Sequence, residues 1–71
     1  MPADVTAAST NRRGLELFGD YERTGNIQLL QEAITLFREA ADATPASGPF
    51  RPRVVYGLET ALRIRRERFG Y

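Results

Sequence analysis

Between Gln28 and Ala43 the chain sets Leu29, Leu30, Ala33, Ile34, Leu36, Phe37, Ala40, Ala41 and Ala43 at helical spacing, and every other position is polar. At 100° per residue these apolar positions sweep an arc of roughly 200°, about twice the stripe that an ordinary surface helix needs. A helix that wide in its apolar face must be packed on two sides. The segment is therefore the middle element of its domain, with a helix against each flank, and no fold that leaves it at an edge is consistent with it.

The ends of this central segment carry recognisable turn chemistry. Gly25 suits the left-handed residue that closes a preceding helix, and Asn26 suits the N-cap of the next. Pro45 stops the segment, because proline lacks the N–H and its predecessor avoids the α region. Upstream, the pattern predicts a helix over 5–23 with Asp4 as N-cap and residues 1–4 as a frayed arm. Ala7, Gly14, Phe18 and Tyr21 share one side of it, flanked by Leu15 and Leu17. Glycine at position 14 costs about 1 kcal/mol against alanine in mid-helix, which a close crossing by a neighbour would explain. Downstream, a loop rich in proline, glycine and serine leads to Pro52, a good first-turn residue for a third helix over 52–69. There Val54, Val55, Leu58, Ala61, Leu62 and Phe69 form one face. Gly57, Ala61 and Ile64 form a second, narrower strip. The expectation is an all-α domain over 5–71, with three antiparallel helices at about 5–23, 27–43 and 52–69 joined by short connections.

One near-repetition adds to this. Glu22-Arg23-Thr24-Gly25 returns as Glu67-Arg68-Phe69-Gly70, about 45 positions on, and each copy has a leucine five residues ahead of its glutamate (Leu17, Leu62). Helical units at such a period mark an α-solenoid, in which each unit buries its apolar face against its neighbours.

Ala33, Phe37, Ala40 and Pro45 have the spacing of the second helix of a tetratricopeptide repeat. The chain resembles a longer-period variant of that family found in regulatory proteins of GC-rich bacteria. The shared features are the Tyr21–Gly25 run, the core around Leu30, Glu32, Ala33 and Ile34, and the turn formed by Thr44, Pro45 and the Pro49–Pro52 stretch. The likeness covers about residues 14–70, one hairpin plus the first helix of the next. It departs at Gly14-Leu15, which reverses the usual order, and at Arg66 and Phe69, which stand where a tyrosine and a threonine are usual. What it implies is a noncatalytic scaffold that holds partner peptides or helices.

Composition bounds the chemistry. Seventy-one residues allow one small domain, which buries only about 60% of its unfolded surface. Cysteine and histidine are absent and all ten basic residues are arginine. No disulfide holds the chain, so a reducing, cytoplasmic setting is expected, and the usual general bases and metal ligands are missing. No stretch has the roughly 18 apolar residues of a membrane span. No enzyme, cofactor, metal or small-molecule substrate is expected.

Two functional readings follow. In the first, the chain is a protein-interaction or assembly module that associates with itself. A second helix of the next unit would cover the Gly57/Ala61/Ile64 strip, so the predicted interface is Tyr56, Gly57, Ala61, Ile64 and Arg65. In the second, weaker reading, Arg63, Arg65, Arg66 and Arg68 crowd the last turns of the third helix and contact nucleic acid. Those cations are explained more simply as complements to the negative end of a helix dipole. A third possibility is that the chain is one piece of a longer repeat array.

Overall fold

The computed structural model describes residues 3–71. It consists of α1 (Ala3–Thr24), α2 (Ile27–Ala43) and α3 (Arg51–Phe69), with no strand among the described residues. Helix α1 is thus in place by Ala3, and Asp4 lies in its first turn rather than at its N-cap. Aspartate favours both the cap and the first turn of a helix, so the two placements read alike in sequence. Of the expected N-terminal arm, residues 1–2 lie outside the described residues and residues 3–4 are helical.

The first connection is closed by the residues that predicted it, and the second follows the Pro45 stop with polar ties from Thr44 and Arg51. Gly25 adopts φ 75° and its N–H donates to the Tyr21 carbonyl at 2.6 Å. Asn26 then accepts the Gln28 N–H on its side-chain oxygen at 2.9 Å, capping α2. At the other end, Thr44 is extended (φ −96°, ψ 128°), as a residue before proline should be. Its hydroxyl donates to the Ala40 carbonyl at 2.6 Å. The Arg51 guanidinium reaches back from α3 and donates to the carbonyls of Ala41 and Thr44 at 3.0 and 3.2 Å. At this end of α2, where the last carbonyls have no intrahelical partner, Thr44 therefore satisfies Ala40, and Arg51 of α3 satisfies Ala41 and the C-cap carbonyl of Thr44.

Order along the helices gives their sense. Along α2 and α3, Arg51 meets Ala41, Gly57 meets Phe37 and Arg65 meets Gln31, so the two run antiparallel. A two-residue connection and the Gly14–Phe37 contact do the same for α1 and α2. Helix α2 is in the middle, as its wide apolar arc requires, and buries Leu30, Ala33, Ile34, Phe37, Ala40 and Ala41. Its most extensive interface is with α1, the next with α3, and α1 and α3 meet only slightly. Helix α1 adds Ala7, Leu17 and Tyr21 to the core, whereas α3 adds only Val54 and Ala61. Full burial of a leucine- or phenylalanine-sized side chain contributes about 1.5–3 kcal/mol. Most of the apolar stabilisation therefore sits in the α1–α2 hairpin.

Candidate interaction surface

Helices α1 and α3 run parallel on the two flanks of α2 and leave a cleft between them. Its floor is the ring of Phe37, which lies against Gly14 from one side and Gly57 from the other. The two glycines let both backbones approach the ring, and the ring in turn keeps α1 and α3 apart. Leu15 and Phe18 form the α1 wall, and Arg53, Tyr56 and Thr60 the α3 wall, around about 210 Å³. Leu15 is 51% exposed and Tyr56 72%, so large apolar surface stands open on both rims.

Asn11 gives this cleft its polarity. It lines the cavity, is only 3% exposed, and its side-chain oxygen has no hydrogen-bond partner. An unpaired buried polar atom costs about 1–3 kcal/mol. Turning the amide over would exchange an unanswered acceptor for an unanswered donor. The site thus combines an apolar floor, a buried amide whose oxygen is sealed beneath the surface and one cation, Arg53.

The residues predicted as an interface divide in two. Tyr56 is exposed and Gly57 lies in the cleft. Ala61 is completely buried, and Ile64 is packed against the core cluster of Leu17, Tyr21, Leu30 and Phe37. The Gly57/Ala61/Ile64 strip therefore faces α2 and is not an open flank. Gly57 lets α3 settle on the Phe37 ring, and Leu58 and Leu62 pack beside it on the same core cluster. Arg65, named with that interface, is held within the chain. It donates to the Gln31 side-chain oxygen at 3.0 Å and to the Tyr71 carbonyl at 2.9 Å, and lies 5.5 Å from the Tyr71 ring centre.

The arginines assigned to nucleic acid are partly engaged in the same way. Arg68 donates to the Tyr21 hydroxyl at 3.1 Å and sits over that ring. Arg63 stands 4.0 Å from Glu67. Arg66 is exposed. Two of the four cations thus hold α3 to its neighbours, and the basic cluster is smaller than the sequence suggests.

Asn11, Leu15, Phe18, Phe37 and Arg53 belong to the cleft and were absent from the sequence-based site. A signal for Asn11 existed. It falls four residues after Ala7, three before Gly14 and seven before Phe18, so a polar side chain interrupts the buried row of α1.

Neither a family model nor a curated protein nor a solved structure matches the chain. Among the described residues, no helix is long and apolar enough to cross a membrane, and no cluster of histidine, cysteine, aspartate or glutamate could hold a metal ion.

Proposed function

We propose that this chain is a noncatalytic protein-interaction and assembly module of tetratricopeptide-like type, that it associates with itself in the cytoplasm, and that its working surface is the cleft between α1 and α3. The observation that carries this reading is Leu15 and Tyr56 standing open on either rim of an apolar cavity floored by Phe37. An aromatic and a leucine exposed around an apolar pocket make a surface that gains from being covered. The resemblance of the α1–α2 hairpin to a helical repeat, with a third helix beginning another unit, supports the same class.

Sedimentation equilibrium of the chain from low to high micromolar concentration tests the self-association. The expected mass rises with concentration towards twice that of the monomer. A constant monomer mass across the range overturns it.

A further inference from the structure

Residues seven apart on an α-helix fall within about 20° of one line along its surface. On α3 such a line carries Arg53, Thr60 and Glu67, and it begins at the cleft, whose wall includes Arg53 and Thr60. Tyr56 and Arg63, also seven apart, lie beside it. All five are exposed except Thr60, which is half-buried. Arg53 has no ion-pair partner among the described residues, and Glu67 has only Arg63, at 4.0 Å on open surface. The Thr60 hydroxyl, unlike those of Thr24, Thr35 and Thr44, makes no bond to the carbonyl one turn back.

This line is complementary to itself, with a cation seven residues before Thr60 and an acid seven residues after it. We propose that the cleft face of one chain meets the cleft face of a second about a two-fold axis that crosses α3 at Thr60, with the two α3 helices antiparallel. Each Arg53 then pairs with Glu67 of the other copy, and the two Thr60 hydroxyls meet at the axis. Each Tyr56 ring lies against Arg63 of the other copy, because these positions stand four residues before the axis and three after it. The drift of about 20° per seven residues is what two helices crossing at about 20° absorb. This inference rests on the self-association proposed above and specifies the surface that performs it.

The same axis suits α1. Gly14 and Gly57 lie against one ring and so stand at one height. An axis three residues beyond Gly57 therefore crosses α1 three residues beyond Gly14, at the level of Leu17. Leu15 and Gly19 stand two residues to either side of that level, and both are exposed. Leu15 of each copy comes over Gly19 of the other, where a methyl group added to the single chain would meet nothing within 4 Å. Both apolar side chains that stand open on the cleft rims, Leu15 and Tyr56, are thus covered by one operation. Charges that match in register as well as in sign favour a second copy over an unrelated segment, and an isologous contact closes at two copies.

The chain has no cysteine, so a single introduced thiol reports its distance from its own symmetry mate. A disulfide needs Cβ atoms about 3.5–4.5 Å apart. Thr60→Cys lies on the axis and should cross-link on mild oxidation at least about tenfold faster than Glu59→Cys, which points about 100° away round the helix. Arg53→Glu and Glu67→Arg each put like charges opposite one another twice per dimer. Each should weaken association by about tenfold or more in sedimentation equilibrium at low salt. Mixing the two in equal amounts restores both attractions, so heterodimers should form within about threefold of the original affinity. Both reversals suit the dipole of α3, an acid near its N-terminus and a cation near its C-terminus, so helicity in circular dichroism should be unchanged. If the unaltered chain dimerises but Thr60→Cys cross-links no faster than Glu59→Cys, or the reversals dimerise equally well, the Arg53–Thr60–Glu67 line is not the contact and the self-association stands without it. If the unaltered chain is monomeric throughout, both are overturned.

Discussion

Helices α1 and α3 lie on opposite flanks of α2, and each lays a glycine against the same phenylalanine, yet the two are held in different ways. A methyl group added at Gly14 would come within 2.8 Å of the Phe37 ring, whereas one added at Gly57 would sit at 3.4 Å. Helix α1 is locked by close packing and by three buried apolar side chains. Helix α3 buries only Val54 and Ala61, leaves Leu58, Leu62 and Ile64 half-covered, and is held by arginine side chains. Arg51 reaches the end of α2, Arg65 reaches Gln31 and Arg68 reaches Tyr21. The difference is that between a hairpin stable through shape and a third helix attached through polar contacts at its margins. A helix held in the second way leaves its outer edge exposed, with Arg53, Tyr56 and Glu59 on it.

Phe37→Ala is the most damaging change, because it removes the one ring that both flanks share. The expected loss is about 3–5 kcal/mol, a large part of the roughly 5–15 kcal/mol that a folded domain has. Thermal melting should show a largely unfolded chain at 37 °C. A transition close to the original would mean that α1 and α3 do not depend on a common pivot.

The glycines sharpen the contrast. Alanine favours a helix interior by about 1 kcal/mol over glycine, so both substitutions begin with the same intrinsic gain. At Gly14 overpacking against a ring enclosed on two sides outweighs it, and Gly14→Ala should lose about 1–3 kcal/mol in chemical denaturation. At Gly57 the methyl group meets ordinary or slightly tight contact, and Gly57→Ala should lie within about 1 kcal/mol of the original, towards greater stability. Equal effects at the two positions would erase the distinction drawn here.

Loss of a polar tie should loosen α3 alone. Arg68→Ala removes the hydrogen bond and ring contact to Tyr21, and the expected cost is about 1 kcal/mol. In hydrogen exchange, the C-terminal turns of α3 should lose protection while α2 keeps its own. Uniform loss across all three helices would show that α3 is integral to one cooperative unit.

These differences were unequally legible in the sequence. The helix ends were legible because each rests on local chemistry: a glycine at positive φ, an asparagine cap, a proline stop. The central place of α2 was legible because a 17-residue helix with a doubled apolar arc admits one position. The orientation of α3 was not. Val54, Val55, Leu58, Ala61, Leu62 and Ile64 cover much of its circumference, so no single stripe points to α2, and the choice falls to which side fits Phe37. The fates of Arg65 and Arg68 were also hidden, since their partners Gln31 and Tyr21 lie 34 and 47 residues away. Charge density alone suggested a binding patch where two of the four side chains are internal struts.

The smallest effect has the opposite sign and bears most directly on the cleft. Asn11 holds its polar group buried and unanswered, so replacing it with leucine, of similar size, removes a penalty and adds apolar contact. Asn11→Leu should stabilise the isolated chain by about 1 kcal/mol, seen as a rise of about 4–8 °C in Tm for a domain of this size. If Asn11→Leu lowers Tm, the amide is already satisfied in the folded chain or the bulkier leucine overpacks the site, and the buried oxygen carries no penalty.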